Sequence, residues 1–208
     1  MTLLNNPFVT SGYIAPEYFC DRERETEELL RWLVNENNVA IISTRRMGKT
    51  GLIQHCFHLK EIKENYYTFL IDIYATKTLR EFVFQLGKVI LATLKPKGQK
   101  AWELFVNSLV SLKTGFSLDM SGMPQWNLEL GDIKSPETTL DEIFHYLAVS
   151  DKPCIIAIDE FIFVYGVRKC SSFILLQVVD QFSQHHLLKR LSLIHCIFLP
   201  PLSKIRCP

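Results

Sequence analysis

No two of the six cysteines (Cys20, Cys56, Cys154, Cys170, Cys196 and Cys207) stand in a C-x-x-C pair. The usual zinc spacings are therefore excluded, and there is no disulfide framework to read. No charge of one sign dominates either: 23 basic and 22 acidic residues leave a formal net charge of +1. The molecule as a whole has no pull toward a polyanion, so nucleic acid is not indicated as a partner. No apolar run approaches the ~20 residues that a membrane-spanning helix needs. The C-terminal stretch LSLIHCIFLPPL falls well short, and the N-terminal MTLLNNPFVTSGYIAP has neither a basic leader nor a long apolar core. The expectation is a soluble, cytoplasmic chain with no membrane partner. Internal repeats and low-complexity tracts are missing too.

What remains is a globular composition, 48% hydrophobic and 22% charged over 208 residues, enough for one α/β domain with a small appendage but not for two full domains. Asp21–Asn37 (DRERETEELLRWLVNEN) places Leu29, Leu30, Trp32 and Leu33 on a helical stripe among charges, with Asp21 set to cap the first turn. NNVAIIS follows as a short apolar run, the profile of a strand buried on both faces. A helix is predicted from about Thr50 to Leu59, a second strand over Asn65–Ala75, and an amphipathic helix over Thr78–Leu94. Strand, helix, strand, helix implies a parallel sheet with helices on its faces. A further helix, KAWELFVNSLVSL, and an alternating stretch around Gly122–Pro124 predict a helix and β-hairpin inserted at about 95–135. In SPETTLDEIFHYLAV the Thr-x-x-Glu signal predicts a helix start near Thr139, and CIIAIDEF (Cys154–Phe161) reads as an apolar strand ending in two acids.

The chemistry concentrates in two places. STRRMGKT (Ser43–Thr50) joins the first strand to the next helix. A phosphate-binding loop needs backbone N–H groups converging at a helix N-terminus, a lysine for the outer phosphates and a hydroxyl for magnesium. Gly48, Lys49 and Thr50 in that setting supply all three, with Ser43 where the common pattern has glycine. A Gly-Lys-Thr triplet also arises by chance, and the flanking strand and helix are what separate the two readings. Arg45 and Arg46 either add positive potential for phosphate or are solvated. The second place is Asp159-Glu160. Two acids ending a buried strand are costly unless they stand at the carboxyl edge of the sheet, facing a cation or solvent. His55 and His58 share a helix face, a spacing shared by surface histidines and metal ligands; His185-His186 has no acidic or cysteine companion nearby. Tyr66, Tyr67 and Phe69 read as core and edge residues of a strand.

With these residues in hand, the chain resembles the bacterial and archaeal AAA-like P-loop ATPases related to the STAND signalling NTPases. The resemblance covers about Asn6 to Phe161 and rests on FCDRERETEELLRWL, STRRMGKT and IIAIDEF. In the family the first segment runs Phe-x-Gly-Arg-Glu-x-Glu, so Phe19, Arg22, Glu23 and Glu25 match and Asp21 replaces the glycine. The family's loop begins Gly-x-Arg-Arg, so Arg45 and Arg46 match and Ser43 does not. The resemblance implies an α/β P-loop NTPase fold with ATP and Mg2+ as cofactors. It implies a nucleotide cradle of Ser43, Thr44, Arg45, Arg46, Met47, Gly48, Lys49, Thr50 and Gly51 with Arg22 nearby, and a segment from Tyr13 to Arg22 packed near adenine. Lys49 would contact the β- and γ-phosphates, Thr50 and Asp159 would hold magnesium, and Glu160 would activate water.

Beyond Phe161 the resemblance stops. The first 161 residues hold 21 acids and 17 basic residues, whereas Ile162–Pro208 holds one acid, Asp180, and six basic residues. Residues 1–161 are expected to form the ATPase core, and 162–208 an atypical tail of the kind that an altered reading frame or a divergent end produces, leaving the fold incomplete at its C-terminus. The run LSLIHCIFLP is apolar enough to fill the strand position that the family places between the loop strand and the acidic strand, and Ser192 and His195 are its only polar groups. Three functions compete: an ATPase that uses hydrolysis for conformational signalling, a nucleotide-binding module without turnover, and a small-molecule phosphotransferase. Self-association or a protein partner is expected beside ATP.

Overall fold

The computed structural model describes residues 12–44, 46–94, 96, 99–118, 124–126, 129–162 and 191–198. Four strands, β1 (Val39–Ser43), β2 (Tyr67–Asp72), β5 (Cys154–Ile162) and β6 (Leu191–Phe198), form one parallel sheet in the order β1-β6-β5-β2. The remaining strands, β3 (Phe116–Leu118) and β4 (Pro124–Trp126), make an antiparallel pair with Phe116 opposite Trp126. The hairpin expected around Gly122–Pro124 is thus paired on both flanks, while its turn lies outside the described residues. The helices are α1 (Glu23–Val34), α2 (Lys49–His58), α3 (Lys60–Asn65), α4 (Leu79–Leu94), α5 (Gln99–Ser108) and α6 (Pro136–Ala148). None of the described helices is long and apolar enough to cross a membrane.

Side chains on a strand alternate between faces, and two cores result. Phe69 and Ile71 of β2 and Ile156 and Ile158 of β5 pack against Phe82, Leu86 and Ile90 of α4, Phe105 of α5 and Phe144 and Leu147 of α6. On the opposite face Ile155 and Ala157 of β5 meet Leu29 and Leu33 of α1 and Leu52, Ile53 and Cys56 of α2. Each buried aliphatic side chain contributes roughly 1.5–3 kcal/mol of burial, so the sheet is held as a three-layer sandwich at β5 and β2.

β1 departs from the expected doubly buried strand. Val39 and Ile41 pack on the α1–α2 core, but Ala40 and Ile42 are exposed, Ile42 at 55%. The α4–α6 layer covers β2 and β5 and does not extend over β1. Asp21 does not cap α1 either. The N-cap is Arg22, with no side-chain cap, and both Asp21 (φ 59°) and Arg22 (φ 75°) are left-handed. Two left-handed residues turn the chain into the helix and leave Asp21 one position too early. The left-handed region is also where glycine costs nothing and aspartate is tolerated, a physical reason why Asp21 can stand where the resembling family has glycine. On α1 the buried stripe is Thr26, Leu29 and Leu33. Trp32 falls off it, 44% exposed, with the Arg31 guanidinium 5.9 Å from its ring centre.

Helix α6 starts at Pro136, three residues before the expected Thr139, because proline at the first position presets φ for a helix. Thr139 and Glu142 are freed from capping and tie α6 to the 3-10 segment Val110–Gly115. The Ser111 hydroxyl donates to Glu142 Oε2 at 2.6 Å and meets Thr139 Oγ1 at 2.9 Å.

Candidate functional site

β1 and β5 are not neighbours; β6 lies between them, with Ala40 level with His195 and Ile158 level with His195 from the other side. LSLIHCIF (Leu191–Phe198), the described part of LSLIHCIFLP, therefore occupies the gap between the loop strand and the acidic strand. Because all four strands run parallel, their carboxyl ends share one edge, and the loop after β1 and the C-terminal half of β5 are brought to that edge together; β5 does not end at its two acids as expected but runs on through Phe161 and Ile162, which pair with Ile197 and Phe198.

Ser43 closes β1, and its φ is not positive; among the described residues of the loop the left-handed positions are Arg46 (φ 63°) and Gly48 (φ 72°). A serine in place of the first glycine is thus compatible with this loop. Gly48 is different: it is the N-cap of α2 in a conformation that L side chains rarely adopt, and any Cβ there would also meet Arg22 Nη1 at 3.5 Å. Its carbonyl starts the helix by accepting from Leu52 N at 3.0 Å, and also accepts from Arg22 Nη1 at 3.3 Å. Arg22 in turn pairs with Glu25 at 3.6 Å. The long step from α1 to the loop is bridged by this one guanidinium.

Lys49, the first residue of α2, is 6% exposed. Its ammonium turns back into the loop and donates to Thr44 O (3.1 Å), Ser43 Oγ (3.2 Å) and Ser43 O (3.4 Å). A buried cation needs such acceptors or an anion. The Thr50 hydroxyl, one residue on, donates to Asp159 Oδ2, and Asp159 is 6% exposed. A hydroxyl and a carboxylate in contact form a hard oxygen pair, the chemistry that magnesium takes. Among the described residues no group of three or more His, Cys, Asp and Glu could hold a metal on its own, His55 and His58 included.

Of the other expected site residues, Thr44, Arg46 and Met47 are exposed at the loop, Met47 at 52%. Arg45 lies outside the described residues, as do His185 and His186. The backbone of Glu160 lies in β5, where the register with β6 shifts between Ile158 and Phe161. Sequence reasoning passes over Asp72. It ends β2 level with Asp159, is exposed, and accepts the Tyr74 N–H at 2.8 Å. An acid closing an apolar strand is the signal that singles out Asp159, and it applies equally to Asp72.

Beside the loop is a cavity of about 370 Å³, bounded by Met47, Gly48 and Gly51 on one side and by the segment Gly12–Arg22 on the other. The Tyr13–Arg22 segment, expected near adenine, lies beside the loop across this cavity. Tyr13 and Phe19 are the aromatic members of this wall nearest α2. The Phe19 ring stacks on the His55 imidazole at 4.1 Å and 13°, and the Tyr13 hydroxyl is 3.4 Å from His55 Nδ1. Burial first, and then the neighbouring His58, hold the His55 pKa below its ordinary value.

No protein-family model and no curated protein matches the chain. Solved structures do. A Walker-type ATPase of Pyrococcus abyssi superposes with a TM-score of 0.52 at 22% identity, covering 92% of this chain and 49% of that one. The ORC2 protein of Aeropyrum pernix, solved in ADPNP–ADP complexes, gives a TM-score of 0.45 at 14% identity over 85% of this chain and 41% of that one. The first likeness is one of fold, a parallel α/β sheet of the P-loop ATPase kind, and the chain spans about half the length of the structures it matches.

Proposed function

We propose that this chain is a P-loop domain that binds Mg-ATP and uses binding and hydrolysis for conformational signalling, as in AAA-like ATPases related to the STAND NTPases. The observation that carries the reading is the meeting of Thr50 and Asp159 across the sheet, beside a buried lysine that donates to loop oxygens. The first N–H groups of a helix have no acceptor within the helix and point along its axis, which suits the start of α2 to an anion. Lys49 would exchange the loop oxygens for the outer phosphates, and Ser43, Thr44, Arg45, Arg46, Met47, Gly48 and Gly51 would form the cradle. Thr50 and Asp159 would hold magnesium, which when bound screens the phosphate charge. Glu160, next along β5, would orient and deprotonate the attacking water. Arg22 would stiffen the loop through the Gly48 carbonyl.

Register also favours slow turnover. At the carboxyl end of β6, Ile197 and Phe198 are level with Ile42 and Ser43. Apolar residues thus stand at the edge position where the resembling family carries a polar sensor, a reason to expect binding to outlast hydrolysis. The test is a calorimetric titration of Mg-ATP into the wild-type chain and Lys49→Ala. Loss of the charged contact should weaken binding by roughly 10²-fold or more. Equal affinities in two folded proteins would reject the phosphate-loop reading.

A further inference from the structure

His55 and His58 have no part in the phosphate-loop reading, yet His55 touches two of the three aromatic residues that line the cavity beside Gly48, Phe19 and Tyr13. Its imidazole lies nearly parallel to the Phe19 ring at 4.1 Å, meets Tyr13 edge-on at 5.9 Å, and Tyr13 reaches on to His58 at 4.9 Å. Gly51, one turn before His55 on the same helix, leaves room for the Phe19 ring: a Cβ there would already stand 3.8 Å from it. The ring is therefore fixed between α2 and the Gly12–Arg22 segment, and α2 begins at Lys49. One helix thus presents the phosphate-binding residues at its first turn and, one and a half turns later, the prop for the opposite wall.

We propose that His55 is a positioning residue for a nucleobase: it holds the Phe19 ring, and with Tyr13 the segment before it, as the wall of the 370 Å³ cavity against which the base of the bound nucleotide packs. The inference rests on the nucleotide-binding reading above but concerns only the base end of the site. A cavity with an aromatic wall braced by a helix suits a planar heteroaromatic ring, because offset stacking needs a surface that does not turn away. A short segment with only a 3-10 turn of its own, Pro16–Tyr18, has little internal stiffness; the stack on α2 supplies it. The contact that His55 makes is through its ring face, so another flat ring can take its place.

The experiment uses two probes that separate the base from the phosphates. Mg-ATP and inorganic tripolyphosphate are titrated into the wild-type chain, Lys49→Ala, His55→Ala and His55→Phe, with thermal melts to show that each is folded. His55→Ala should weaken ATP by about 3- to 10-fold, the worth of one aromatic contact, and leave tripolyphosphate within about twofold of wild type. His55→Phe, which keeps the stack and loses the hydrogen bond, should restore most of the ATP affinity. ATP and tripolyphosphate weakening together in His55→Ala would overturn the proposal, as would unchanged ATP binding or a wild-type chain that binds both probes equally. If the wild-type chain binds neither probe, the phosphate-loop reading fails along with it; if Lys49→Ala weakens both while His55→Ala weakens neither, only the base-wall inference fails.

Discussion

Replacing Thr50 by valine removes one oxygen and little else. Valine has nearly the shape of threonine and a similar helix propensity, so the change isolates the hydroxyl that donates to Asp159. Hydrogen bonds to charged acceptors are worth about 1.5–3 kcal/mol net, and Asp159, 6% exposed, has little water to replace the lost donor. Asp159 also keeps other interactions, which places the expected loss near the lower half of that range, about 2 kcal/mol. Thr50→Ser is the control. It keeps the hydroxyl and gives up one methyl group at a half-buried position, a cost of about 0.5 kcal/mol. Urea unfolding followed by circular dichroism in the presence of a chelator reads the difference. With a slope near 2 kcal/mol per molar, the valine midpoint should fall by about 1 M and the serine midpoint by about a quarter of that. Equal midpoints for the two variants would refute the reasoning, because the Thr50–Asp159 bond would then contribute nothing to the metal-free fold.

Two further outcomes are expected. Glu160→Gln, which keeps size but cannot accept a proton, should bind ATP as the wild type does and hydrolyse it roughly 10²-fold more slowly or worse; single-turnover hydrolysis at an unchanged rate would remove Glu160 as the base. Tyr67, whose phenol is pushed up to about 12 by burial and then by its hydrogen bond and proximity to Asp151, should make the fold alkali-sensitive. With the folded pKa above the unfolded value of 10, its contribution is intact below pH 10 and is lost as pH rises from 10 toward 12. Denaturant titrations over that window should show a fall in stability that is shallower in Tyr67→Phe.

The sheet was legible in the sequence because β2 and β5 are apolar runs bounded by turns, and α4 has an unbroken apolar stripe. The position of LSLIHCIFLP followed from the resemblance, since an apolar strand carries no mark of which neighbours it takes. Misreadings arose where local pattern and tertiary cover disagree. NNVAIIS is as apolar as a doubly buried strand, but burial depends on whether α4–α6 extend over β1, and no local residue states that. Asp21 looks like a cap because aspartate caps helices, and only the left-handed φ of Asp21 and Arg22 shows the helix starting later. At the candidate site, Gly48, Lys49, Thr50 and Asp159 are singled out by their setting between strand and helix or near a strand end, and the rest of the loop by the resemblance. Asp72 could have been named by the same rule. The Phe19–His55 stack joins residues 36 positions apart in different elements, a contact that neither periodicity nor motif encodes.

The order β1-β6-β5-β2 also fixes when this molecule can be finished. During synthesis α1, β1 and α2 emerge first, but β1 ends at Ser43 and its strand partner begins at Leu191. The half of the sheet made by β2 and β5, with α4 to α6, closes earlier in the chain and holds the larger core. Contacts of such wide sequence separation form late and slowly. Until β6 slides in, β1 and β5 each present an unpaired edge and the loop has no fixed distance to Asp159. A ligand that grips Lys49 and Asp159 together would therefore bind chains in which β6 is seated in preference to those in which it is not, and by that preference would stabilise the seated sheet.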